Sequence, residues 1–303
     1  MNASSEDHAM TVSSAVPGQP RQHYVQCLSP SGLHRVAYTE WGDPANPRVL
    51  VCVHGLTRSS RDFDRLAIAL ADTYRVVCPD VVGRGLSSWL VDPRGYGVAQ
   101  YVADMVTLIA RTGVEKVDWF GTSMGGLIGM ALAGLPDAPI GRLLLNDIGP
   151  HIEPASLERI GEYVGRDVSF GSLQEGIDNA ALLAASFGPL TPDEWREINT
   201  PLLHEVEGVW RYRYDPRISE GFKGVTPEQN EQGEQFLWRS LAAFKGPVLA
   251  VRGELSDLLS RDTLAKMEAT GQQLKGVEIA GVGHAPAFLA ADQIEIARRF
   301  FAG

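Results

Sequence analysis

The spacing of apolar and polar positions changes character twice along the chain. At 24–28 and 34–41 the two classes alternate on either side of a Ser31-Gly32 turn, the period of a half-buried antiparallel hairpin at a sheet edge. From Val49 onward the pattern becomes short, mostly apolar runs at 48–53, 75–79, 116–120, 142–146, 247–252 and 276–280, as in a parallel sheet covered on both faces. Between the runs, 63–70, 101–110, 127–135, 263–267 and 294–301 carry apolar residues at three-to-four spacing, which predicts helices. Strand and helix in alternation predict an α/β protein with a doubly wound, mostly parallel sheet.

The alternation breaks at 149–232, where helical patterns recur without strands among aromatics, glycines and prolines. An insertion after the strand that ends near Asp147 covers the carboxyl edge of the sheet, where open α/β folds bind ligands. The expected organisation is therefore a disordered tail at 1–22, a core at 23–148 and 233–303, and an inserted helical lid at 149–232.

Composition narrows the function classes. With 303 residues, 44% of them apolar, the chain can bury a large core. A net charge of -10 without Lys/Arg clusters argues against nucleic acid as partner. No run reaches the roughly eighteen apolar residues of a membrane span, and the polar N-terminus lacks the basic and apolar regions of a secretory signal. Cys27, Cys52 and Cys78 are odd in number at no metal-like spacing, so free thiols in a reducing cytoplasm, with no metal and no cofactor, are expected.

The chemistry concentrates where the 116–120 run meets the 127–135 helix. Gly121-Thr122-Ser123-Met124-Gly125 is Gly-x-Ser-x-Gly between a strand and a helix, so Ser123 sits on a sharp turn that pushes its hydroxyl into the cleft. A hydroxyl attacks only if an imidazole takes its proton. Of the seven histidines, His284 alone lies in a loop just past the last predicted strand, between glycines and an Ala285-Pro286 step. His54 ends an early strand in Val53-His54-Gly55-Leu56 and is expected to orient that loop. Oxyanion donors are expected from the backbone N–H groups of Leu56 and Met124.

A carboxylate must hold the imidazole, and chain order places it between 123 and 284. Asp257, after the 247–252 strand, and Asp147, after the 142–146 strand, both qualify. Asp257 is favoured because its strand neighbours the histidine loop, which leaves Asp147 to cap its own turn.

These motifs resemble those of the α/β-hydrolase superfamily, in its lidded, cofactor-independent branch of esterases, lactonases and carbon-carbon bond hydrolases. The likeness rests on His54-Gly55-Leu56, on Pro79-Asp80-Val81-Val82-Gly83-Arg84-Gly85-Leu86-Ser87, on the segment from Gly121 to Gly126, on the segment from Gly253 to Asp257, and on Gly283-His284. It implies an α/β-hydrolase fold and a Ser-His-Asp triad. Ser123 stands where haloalkane dehalogenases carry aspartate, and Ala285 where carbon-carbon hydrolases often carry tryptophan. A small-molecule monoester or lactone, cleaved through an acyl-enzyme, is the expected substrate. A carbon-carbon or amide hydrolase and a non-catalytic ligand-binding protein are the alternatives.

Two side chains are candidates for substrate contact. Arg58, beside the oxyanion loop, could grip an acidic group or be paired structurally. Trp210, with Tyr212 and Tyr214, could wall the pocket or pack the lid. Arg84 belongs to a scaffold turn and is expected to pair with a carboxylate.

Overall fold

The alternating segment near the N-terminus becomes an antiparallel hairpin in the computed structural model of the chain, which describes residues 19–221, 225–270 and 273–303. Most of the expected tail lies outside the described residues, and its last two residues open the first strand instead.

The strands, in chain order, are β1 (Arg21–Ser29), β2 (Gly32–Trp41), β3 (Val49–Val53), β4 (Arg75–Pro79), β5 (Val117–Thr122), β6 (Ile140–Asn146), β7 (Ser169–Phe170), β8 (Leu203–Val206), β9 (Val209–Tyr212), β10 (Val248–Gly253) and β11 (Leu274–Ile279). The helices are α1 (Asp64–Leu70), α2 (Val98–Thr112), α3 (Met124–Ala133), α4 (Pro154–Tyr163), α5 (Leu173–Leu183), α6 (Pro192–Asn199), α7 (Pro227–Ala243), α8 (Arg261–Glu268) and α9 (Ala291–Ala302).

The main sheet has the order β1-β2-β4-β3-β5-β6-β10-β11. β2 runs antiparallel to both neighbours and the remaining pairs are parallel. β1 alternates buried and exposed positions, as an edge strand with one wet face must, whereas β3 and β10 are buried at every residue. Helices cover both faces: Met105, Leu108, Ile128 and Leu132 of α2 and α3 pack on one, and Leu66, Leu70, Ala297 and Phe301 of α1 and α9 on the other.

The insertion departs from the strandless expectation. β7, β8 and β9 form a small antiparallel sheet, ordered β7-β9-β8, among helices α4 to α6. The β8–β9 hairpin turns through Glu207 (φ 51°) and Gly208 (φ 81°), two consecutive positive φ values in a two-residue loop. Strands of two to four residues are too short to impose a readable period, which is why the sequence shows only helical spacing there. The boundary at 232–233 also falls inside α7, which begins at a Thr226 capping box. Among the described residues no helix is long and apolar enough to cross a membrane.

Candidate active site

The turn after β5 holds Ser123 at φ 50°, ψ -113°, a conformation that costs free energy unless its surroundings enforce it. They do so through the Ser123 N–H, which donates to the Asn146 carbonyl at 3.0 Å, and the Ser123 carbonyl, which accepts from Gly126 N at 2.8 Å and Leu127 N at 3.1 Å. The glycines are required by contact: a Cβ on Gly125 would lie 2.0 Å from the Val53 carbonyl oxygen, and one on Gly121 2.4 Å from the Gly125 backbone. Helix α3 thus starts directly behind Ser123, with its positive dipole end at the hydroxyl.

His284 Nε2 lies 3.0 Å from Ser123 Oγ, and His284 Nδ1 lies 2.8 Å from Asp147 Oδ2. Asp147 is fully buried at φ 55°, immediately after β6. Its other oxygen accepts the Gly253 N–H at 2.7 Å, and Ser256 Oγ donates to Oδ2 at 2.5 Å. With both oxygens occupied, the carboxylate is fixed in orientation and turns the Nδ1 proton of the imidazole toward itself.

Asp257, the acid favoured from sequence, does not meet His284. Its side chain is about half exposed and pairs with Arg159 of α4 at 2.8 Å. The reason lies in sheet order. β6 sits between β5, which carries the serine, and β10, and the Asp147 N–H continues the β6–β10 ladder by donating to Val251 O at 2.7 Å. A residue leaving the end of β6 therefore lies between the elbow and the histidine loop. The loop after β10 sends its Gly253 N–H and Ser256 hydroxyl to that residue and its aspartate outward. Asp147 was legible as a candidate; Ser256 carried no sequence signal.

Leu56 lines the cavity in front of Ser123, and Met124 opens α3, so its N–H belongs to the first turn, which lacks intrahelical acceptors. The fully buried His54 secures the Leu56 loop. The Val81 N–H donates to Nε2 at 3.0 Å, which leaves Nδ1 to carry the proton and donate to Gly55 O at 2.6 Å. Burial pushes the His54 pKa down to about 3, so this neutral tautomer persists. Arg84 is wholly buried but meets no carboxylate among the described residues, contrary to expectation. Its Nε donates to Leu56 O at 2.8 Å and its Nη1 to Val82 O and Tyr101 Oη, with the Tyr101 ring 5.0 Å from the guanidinium carbon. Carbonyls and aromatic faces stand in for a counter-ion, and the loop that presents Leu56 is held by it.

The cavity over Ser123 measures about 110 Å³ and is walled by Phe120, Phe288, Tyr163, Tyr212 and Tyr214 with His284 and Asn146. Asn146 is almost fully buried, and its Nδ2 donates to Pro286 O at 2.9 Å and Thr122 Oγ1 at 3.1 Å, which ties the histidine loop to the elbow strand. Arg58 reaches the same wall, but its guanidinium is consumed within the protein. It grips both Asp62 oxygens at 2.8 and 2.7 Å and donates to Asn199 Oδ1 and Ile198 O, thereby clasping the core to α6. The structure realises the paired alternative for Arg58. Trp210 does not line the cavity; it pairs with Glu205 near the tip of the β8–β9 hairpin, one step beyond Tyr212, and only the two tyrosines face inward.

Among the described residues, one cluster could offer metal ligands: Cys27, His34 and Asp104, buried between the β1–β2 hairpin and α2. His34 Nε2 already hydrogen-bonds both Asp104 oxygens at 3.0 Å, and burial pushes the Cys27 thiol up to about 12, a poor metal ligand. None of the three lines the cavity.

A serine on a strand-to-helix elbow, a histidine loop after the last strand and a buried aspartate between them, all at the carboxyl edge of a doubly wound sheet, define a class. The chain belongs to the alpha/beta hydrolase fold family, whose model matches residues 48–291. It is 58% identical to a 3-hydroxybutyrate-oligomer hydrolase of Cupriavidus necator, over 94% of this chain and 98% of that protein. Among solved structures it resembles an alpha/beta hydrolase of Novosphingobium aromaticivorans (33% identity, TM-score 0.81, 93% of this chain and 98% of that one). It also resembles a putative hydrolase of Rickettsia typhi (29% identity, TM-score 0.84, 94% and 99%).

Proposed function

We propose that this protein hydrolyses the ester bonds of linear 3-hydroxybutyrate oligomers, with Ser123 as nucleophile, His284 as general base and Asp147 as the acid that holds it. The protein is an ester hydrolase; the substrate and the residue roles are the proposal. The observation that carries the substrate is the near full-length likeness to the Cupriavidus necator hydrolase. The residue roles are supported by the unbroken hydrogen-bond path from Ser123 Oγ through His284 to Asp147.

In the cycle, Ser123 Oγ attacks the ester carbonyl carbon while its proton passes to His284 Nε2. The carbonyl oxygen becomes an oxyanion, stabilised by the Leu56 and Met124 N–H groups and the α3 dipole. Collapse expels the alcohol portion, which takes the proton from His284. Water then attacks the acyl-enzyme with His284 again as base, and the free acid leaves with Ser123 restored.

The buried, unpaired state of Cys27, Cys52 and Cys78 supports a reducing compartment, and we place the protein in the cytoplasm.

The test is chromatographic: purified protein is incubated with the linear dimer, trimer and tetramer of 3-hydroxybutyrate. Accumulation of monomer, abolished by Ser123→Ala in a protein with an unchanged melting curve, is expected. Turnover of simple esters without cleavage of any oligomer would refute the substrate, and turnover surviving Ser123→Ala would refute the nucleophile.

A further inference from the structure

The stacked rings of Tyr212 and Tyr214, 5.5 Å apart, bound two cavities. Both residues line the space over Ser123, and both also line a second cavity of about 250 Å³. Trp89, Val168 and Pro216 contribute apolar surface to this second cavity, and Arg166, Arg211 and His204 contribute nitrogen.

The charge there is locally positive on a chain whose net charge is -10. Asp167 pairs with Arg211 at 2.7 Å, whereas the Arg166 guanidinium forms no ion pair among the described residues. Burial and the neighbouring Arg213 and Arg211 push the His204 pKa down, so the histidine adds no positive charge at neutral pH and the arginines supply it. Exposed aromatic and apolar surface beside a free guanidinium suits an amphiphilic chain that ends in an anion.

A linear oligoester of a hydroxy acid has that form. Every ester bond in it has the free carboxylate on its alcohol side, because the chain runs from a hydroxyl end to a carboxylate end. The two cavities are neighbours, since Tyr212 and Tyr214 line both.

Resting on the oligoester reading above, we propose that the cavity bounded by Trp89, Tyr212, Tyr214 and Arg166 is a leaving-group subsite, in which Arg166 binds the terminal carboxylate of the substrate chain. Arg166 touches no reacting atom. It orients the chain and selects free acids over capped ones.

The experiment reads a ratio within each variant, so a loss of folded protein cancels. Butyryl esters of ω-hydroxy acids of graded chain length, each as free carboxylate and as neutral primary amide, are hydrolysed by wild type, Arg166→Ala and Arg166→Lys. Linear 3-hydroxybutyrate oligomers are run alongside. Wild type is expected to favour the carboxylate over the amide by about tenfold in kcat/KM at the best length, as one charged hydrogen bond at a partly wet site allows. Arg166→Ala should bring the ratio to about one, and Arg166→Lys should keep part of it. A wild-type ratio near one, or a preference that survives Arg166→Ala, overturns the subsite. If the preference behaves as expected but no oligomer is cleaved, the subsite stands and the oligomer reading falls. If oligomers are cleaved with no dependence on Arg166, the reverse holds.

Discussion

Replacing Asp147 by asparagine changes one atom and should stop the cycle by reversing the histidine tautomer. The Gly253 N–H, 2.7 Å from Oδ1, demands an acceptor, so the amide oxygen of the asparagine takes that position. The NH2 group then falls where Oδ2 stood, 2.8 Å from His284 Nδ1. A donor facing Nδ1 favours the imidazole with its proton on Nε2, and Nε2 then presents that proton, not a lone pair, to Ser123 Oγ. The loss expected in kcat is about four orders of magnitude, near 5.5 kcal/mol in activation free energy. Asp257→Asn is the comparison. It weakens one exposed ion pair to Arg159, worth at most about 1 kcal/mol, and should leave kcat within about fivefold. Steady-state hydrolysis of a p-nitrophenyl ester, with thermal melts to confirm folding, measures both. If the Asp257 variant loses more activity than the Asp147 variant, the assignment of the acid is wrong.

Two further outcomes follow from buried groups around the cavity. His54 stays neutral in the folded protein down to about pH 3, while the unfolded chain takes up a proton near pH 6.5. Between those values the unfolded state binds more protons, so stability falls as pH drops, by about 1.4 kcal/mol per pH unit from this residue. Urea unfolding should show a shallower slope for His54→Gln between about pH 6 and 4, and an unchanged slope would count against the neutral buried histidine. Arg58→Ala leaves Asp62 and Asn199 without their partner and should cost about 3 kcal/mol of stability. It should lower activity on acidic and neutral esters alike; a selective loss on acidic esters would show that Arg58 binds substrate after all.

Much of the molecule was written locally. The change from alternating to continuous apolar runs predicted the hairpin and the parallel sheet, since those periods depend on how many faces of a strand are buried. Ser123 was legible because an elbow needs glycines at fixed offsets, whose missing side chains make room for Val53 and for the turn itself. His284 was legible because chain order and a glycine-flanked loop restricted the choice. What failed was whatever depended on convergence across strands. Asp147 and Asp257 each follow a strand, and nothing local says which carboxylate turns inward; the position of β6 between β5 and β10 decides it. In sequence Arg58 stood open between a substrate contact and structural pairing and Arg84 was expected to pair with a carboxylate, yet the fold joins the first to Asp62 and Asn199 and surrounds the second with carbonyls. Trp210 and Tyr212 share a strand, and their different fates depend on how far the hairpin overhangs the cavity. Sequence determined which backbone shapes form and which groups can do chemistry, because those follow from near neighbours along the chain. Tertiary structure alone decided which groups meet, because hydrogen bonds of about 3 Å join residues more than a hundred positions apart.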